Sequence, residues 1–165
     1  MEVGIRKATG EDYSAVCALF DEVDALHRDH LPDIFQRPPG EARERDHYLG
    51  LIADENVGFF VASAGGELVG FVHVIVRETP AVPVLVPKRY AVVDGIVVES
   101  GSRGRGVGGR LMDRAQEWAL ARGATALELN VYEFNEAAIS FYEELGYRTL
   151  SRKMRKELSG DRAAG

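Results

Sequence analysis

The sequence has very little cysteine. Cys17 stands alone, so no disulfide can close within the chain, and a reducing, cytoplasmic setting is the expectation. Long hydrophobic runs are missing too: none approaches the ~18 residues a membrane span requires. The opening MEVGIRKATGEDY lacks the apolar core of a secretory leader. Positive charge is in deficit, with 20 Lys and Arg against 26 Asp and Glu and a formal net charge of −6. Nucleic-acid binders carry the opposite balance or a dense basic face, so neither nucleic acid nor membrane is expected as a partner. Repeats, low-complexity tracts and linkers are also absent.

What remains is an ordinary globular composition, 45% apolar and 28% charged over 165 residues, enough for one domain with a real core. The expected organisation is a single domain over 1–158 and a disordered tail over 159–165. VGIRKA reads as a strand, and TGEDYSAVCALFDEVDALHRDH as a helix capped by Thr9. The prolines of LPDIFQRPPG mark a loop, and EARERDHYLGLIADE reads as a second helix. Two β-rich runs flank Ala64-Gly65-Gly66-Glu67, a hairpin signal. TPAVPVLVPK is a proline-bearing connection, and RYAVVDGIVVE a third β run whose Gly95 suggests a bulge or a close approach. Beyond it, Val107, Leu111, Ala115 and Trp118 mark one helix face, ended by Gly123. ATALELNVY alternates as a strand, Asn135 can cap a further helix with Gly146 just past its end, and YRTLSRKMRKEL reads as a last strand. These elements make an α+β domain.

The chemistry concentrates in SRGRGVGGRLM, residues 102–112. No Lys-Ser or Lys-Thr follows these glycines, which excludes the Walker loop. Gly104-x-Gly106-x-x-Gly109 satisfies the dinucleotide fingerprint, but that device needs its first glycine directly after a strand. Here ESGSR separates Val98 from Gly104, and the acidic residue at ribose-binding distance, Glu128, lies inside an alternating strand. The remaining device is a helix N-terminus whose free backbone N–H groups converge on a pyrophosphate. Gly104, Gly106 and Gly108 leave no Cβ in the way, and Arg103 and Arg105 add charge at the rim.

VVESGSRGRGVGGRLM resembles the R-G-x-G-x-G segment of the GNAT superfamily of N-acetyltransferases. LNVYEFNEAAISFYEELGY is similar to that family's second signature, with Asn135, Ala138, Tyr142, Gly146 and Tyr147 on the matching positions. The resemblance implies a mixed, mostly antiparallel sheet splayed between strands 4 and 5 and flanked by about four helices. It implies acetyl-CoA as co-substrate, gripped by Ile96, Val97 and Val98, by Arg103, Gly104, Arg105, Gly106, Val107, Gly108 and Gly109, and by Asn135, Ala138, Phe141 and Tyr142. An amine acceptor completes the reaction, no metal is needed, and a homodimer is left open.

Within that reading, Tyr142 matches the family's general acid, and a backbone N–H at Val98 can hold the acyl oxygen. Asp94, on the same nominal strand face as Ile96, is the first candidate for general base. Glu78, Glu99, His73 or a water molecule are the others. Cys17 reads as core rather than nucleophile. His27, His30 and His47 lack a diagnostic metal spacing. The first two helices, the loop Thr79–Lys88 and the last hairpin are expected to shape the acceptor site. The reading competing with an enzyme is a silent acyl-CoA sensor or scaffold.

Overall fold

The computed structural model describes residues 2–159. The chain divides into two compact units, Met1–Asn130 and Val131–Gly165. In the first, strand β1 (Val3–Lys7) leads through a short 3-10 turn, Gly10–Asp12, into helix α1 (Tyr13–His30). Asp12 fixes this entry: it accepts the Thr9 N–H at 2.8 Å and both nitrogens of Arg6 at 2.7 and 2.8 Å. The Arg6 guanidinium holds the Asp12 carboxyl below the usual carboxylate range. Helix α2 (Arg45–Ala53) is shorter than EARERDHYLGLIADE suggests, because Glu41–Glu44 stay outside it. Tyr13 donates to Glu41 at 2.8 Å and to the Arg43 carbonyl at 2.6 Å, contacts that need this segment non-helical.

Strands β2 (Val57–Ala64) and β3 (Glu67–Glu78) form the expected hairpin; Gly65 and Gly66 take φ of 60° and 88°, as a two-residue primed turn requires. Strand β4 (Arg89–Val98) pairs antiparallel with β3. Helix α3 (Val107–Ala121) then crosses to β5 (Leu127–Leu129), which runs parallel to β4. The sheet order is β1-β2-β3-β4-β5, mixed and mostly antiparallel, as expected.

One sheet face carries Phe59, Val61, Phe71 and Val97 against Val16, Leu19 and Tyr48 of the first two helices. Each such large side chain contributes ~1.5–3 kcal/mol by leaving water. The other face meets α3 through Val107, Leu111, Ala115 and Trp118, all buried, which is the stripe the helical period marks. Two glycines let these layers close. A Cβ on Gly58 would meet the Trp118 ring at 2.8 Å, and one on Gly70 would meet the Val97 carbonyl oxygen at 2.7 Å.

The second unit contains helix α4 (Glu136–Glu144) and no strand among its described residues. YRTLSRKMRKEL is therefore not the last strand it was expected to be. Its apolar residues recur every fourth position, at Leu150, Met154 and Leu158, all exposed, with Arg and Lys between them. On a strand they would share one face, but Arg152 and Lys156 stand between them on it. Of the expected tail, residues 160–165 lie outside the described residues.

Candidate active site

The sheet opens where the sequence places its splay. β5 pairs with β4 only at Ala91, Val92 and Val93, leaving Asp94–Val98 without a partner on that side. Val98 turns its carbonyl to this free edge, where it accepts Arg103 Nε at 2.9 Å. Strand alternation puts the backbone groups of Ile96 on the same edge, while Val97 is buried in the core. Ile96 and Val98 thus offer backbone hydrogen bonds to an extended amide-bearing ligand.

At the end of β4 a 3-10 turn, Ser100–Ser102, delivers the chain to the glycine loop. Gly104 and Gly106 adopt φ of 72° and 78°, a left-handed conformation that penalises any Cβ. Gly106 is the N-cap of α3, so the N–H groups of Val107, Gly108 and Gly109 lack intrahelical acceptors and sit at the positive end of the helix. Arg105 is exposed beside them. Arg103 differs from expectation: besides Val98, its guanidinium reaches Glu22 of α1 at 3.6 Å, so its charge is partly spent. Glu22 also accepts the Ser100 N–H at 3.2 Å. Nothing in the spacing of α1 singles out Glu22; only the three-dimensional fold brings it here.

Gly95 marks a bulge, as expected, and the bulge changes where Asp94 points. Gly95 faces His73 and Val93 faces Val74, so Asp94 is an extra residue with no opposite number. Simple alternation assigns Asp94 to the face of Ile96. The bulge instead turns it to the face of His73 and Phe71, into a cavity of about 140 Å³ bordered by the first two helices. An Asp94 oxygen stands 3.6 Å from His73 Nδ1. His73 is 4% exposed, stacks on Phe59 at 5.2 Å, and its Nε2 has no hydrogen-bond partner in the protein. Burial lowers the His73 pKa, with Asp94 opposing and His47 adding to the effect, so the ring is held neutral.

The other base candidates lie elsewhere. Glu78 is exposed and pairs with Arg89 at 3.4 Å, at the start of β4. Glu99 follows β4 and donates its N–H to the Val69 carbonyl. Cys17 lines the cavity half-buried, and burial pushes its thiol up, away from nucleophile character. His27 packs against Phe35 at 5.1 Å, and among the described residues no three metal-ligating side chains gather.

In the second unit, Asn135 caps α4 through the Ala138 N–H at 3.2 Å. Gly146, at φ 92°, closes the helix: its N–H reaches Glu143 and the Tyr147 N–H reaches Tyr142. The signature residues are therefore first the caps of a nine-residue helix. Between them Phe141 and Tyr142 are half-buried, and the Tyr142 ring contacts Tyr147 at 5.8 Å. Burial pushes the Tyr142 phenol up to about 12.

A sheet opened beside a glycine-capped helix can hold an extended ligand with an anionic end, and comparison with known proteins makes the class specific. The acetyltransferase (GNAT) family model matches residues 20–147, and the chain belongs to that family. The chain is 30% identical over 146 residues to YhfO of Bacillus subtilis, an uncharacterized N-acetyltransferase, covering 88% of this chain and 89% of that one. An uncharacterized N-acetyltransferase of Methanocaldococcus jannaschii is 34% identical over 103 residues, 62% of this chain but only 44% of that protein. Among solved structures, a tetramutant of the BH1408 protein from Bacillus halodurans has a TM-score of 0.89 at 26% identity, covering 94% and 99% of the two chains. An aminoglycoside N-acetyltransferase, AAC(6')-Iy, in complex with CoA shares the fold at 17% identity and a TM-score of 0.71, covering 94% and 99%.

Proposed function

We propose that this N-acetyltransferase moves the acetyl group of acetyl-CoA directly to a primary amine, within one domain over residues 1–158 and with no covalent enzyme intermediate. The observation that carries the reading is the unpaired edge of β4 from Asp94 to Val98, ending in the N-terminus of α3. Ile96 and Val98 would hold the pantetheine amides, and the free N–H groups of Val107, Gly108 and Gly109 the pyrophosphate. The residues fit that ligand: an added Cβ at Gly104 or Gly106 meets no protein atom within 4 Å, so their openness faces solvent. Arg103 would exchange its bond to the Val98 carbonyl for the ligand, and Arg105 add charge at the rim.

When bound, the thioester supplies an electrophilic carbonyl and a thiol leaving group. Asp94 would accept a proton from the incoming ammonium, whose ordinary pKa of about 10.4 for a lysine-like amine keeps it charged. The nitrogen–carbon bond forms as the carbon–sulfur bond breaks, with the Val98 N–H holding the carbonyl oxygen. Tyr142 would protonate the departing sulfur. Over the reaction the nitrogen sheds two protons; the equivalent of one ends on sulfur and the other in water. Support for Tyr142 is local: a phenol at about 12 is protonated at neutral pH. Asn135, Ala138 and Phe141 would line the same ligand.

The test is acetyl-CoA-dependent thiol release across a broad amine panel. Turnover sharply reduced in Tyr142→Phe is expected. CoA binding without turnover on any amine would leave a silent acyl-CoA-binding domain in its place.

A further inference from the structure

The cavity beside Asp94 has a composition that selects among amines. Tyr13 and Tyr48 border it with hydroxyls already engaged, Tyr13 on Glu41 and the Arg43 carbonyl, Tyr48 on the Thr9 carbonyl at 2.6 Å. Phe20 and Phe59 border it as well, so four aromatic rings line it. Arg43 also borders it, but its guanidinium is doubly bonded to Asp24 and lies 4.0 Å over the Phe20 ring, so its charge is neutralised. Asp94, with its side chain 58% exposed, is the one carboxylate among the lining residues. The other titratable groups that line it are His73, the exposed His47, Cys17, Tyr13, Tyr48 and Arg43.

From this geometry we infer that the acceptor is a small primary monoamine carrying a compact aromatic ring, with its ammonium at Asp94 and its ring among Tyr13, Phe20, Tyr48 and Phe59. The inference rests on the acetyltransferase reading and adds the substrate class to it. The volume agrees: a protein cavity of ~150 Å³ has room for benzene, and this one, with rings on some walls and Arg43, His47, His73 and Asp94 on others, measures about 140 Å³. The charge agrees as well. Aromatic faces and one carboxylate favour a single cation, whereas a polyamine would leave its further charges with no second carboxylate among the lining residues.

The experiment is steady-state thiol release with 2-phenylethylamine, ethylamine, spermidine and a lysine-bearing peptide, on the wild type and on Cys17→Leu. The Leu side chain would fill cavity space beside the rings. Expected is a kcat/KM for 2-phenylethylamine at least tenfold above spermidine and the peptide, and a phenylethylamine-to-ethylamine ratio that falls at least fivefold in Cys17→Leu. Highest kcat/KM on spermidine or on the peptide overturns the monoamine assignment while leaving the acetyltransferase standing. So does an unchanged ratio in a folded Cys17→Leu. If no amine turns over, calorimetry of 2-phenylethylamine against CoA-saturated protein decides. Binding then upholds the pocket although the transferase reading fails; no binding overturns both.

Discussion

Replacing Gly106 and Gly109 by alanine, one at a time, should move stability in opposite directions, although they lie only three positions apart. Gly106 sits at φ 78°, where an added Cβ meets nothing within 4 Å, so the whole penalty is conformational. A left-handed L-residue costs roughly 1–2 kcal/mol. Gly109 is the third residue of α3, at ordinary helical φ, again with nothing within 4 Å of a new Cβ. Alanine there gains up to ~1 kcal/mol over glycine by helix propensity. The two variants should thus differ by about 2 kcal/mol. In a chain this size, at ~2–4 °C per kcal/mol, that is a separation of about 4–8 °C in melting temperature without ligand. Thermal or urea unfolding reads it directly. CoA at 100 times its Kd should add ~2.7 kcal/mol to the wild type, and less to Gly106→Ala, whose methyl stands between the N-cap backbone and the anion. If Gly109→Ala melts below the wild type, or Gly106→Ala melts with it, the conformational argument for the loop is wrong.

Other outcomes follow from the same coordinates. Tyr142→Phe should lower kcat by ~10²-fold or more, the usual scale of general acid catalysis, with little change in the KM for acetyl-CoA. Because the Tyr142 phenol is raised to about 12 from 10, its stabilising share holds below pH 10 and is lost as pH climbs towards 12, which alkaline unfolding of wild type against Tyr142→Phe would reveal. His73 runs the other way: its folded pKa is lowered, so its contribution is present above the unfolded pKa of 6.5 and is lost as pH falls through the folded value. In His73→Phe that part of the acid sensitivity should vanish, as read from urea midpoints between pH 7 and 4. Asn135→Ala should cost ~1 kcal/mol through the lost cap, and Gly70→Ala ~1–3 kcal/mol by forcing a methyl onto the Val97 carbonyl.

Local physics made much of this legible in advance. The α3 stripe, the Gly65-Gly66 turn and the Asn135 and Gly146 caps each depend on a few neighbouring residues, and the structure reproduces them. The opening of the sheet after Val93 came from family resemblance, with Gly95 as its local mark. What escaped the sequence depends on distant partners. The late start of α2 is fixed by Tyr13, which lies in another helix. Glu22 joins the glycine loop across the fold, and the aromatic cavity draws on α1, α2, β2 and β3 together. The expected last strand is absent, and its apolar residues Leu150, Met154 and Leu158 stay exposed.

The bulge at Asp94 separates two things that a regular strand would tie together. Every other residue of β4 from Arg89 to Val98 has an opposite number in β3, and a change there risks the ladder or the core. Asp94 has none, so its side chain can be exchanged without altering the register on either side. Reactivity at the cavity mouth can therefore drift while the architecture stays still. Under the role proposed for Asp94, a lineage could retune its amine, or fall silent, by substitution at this position.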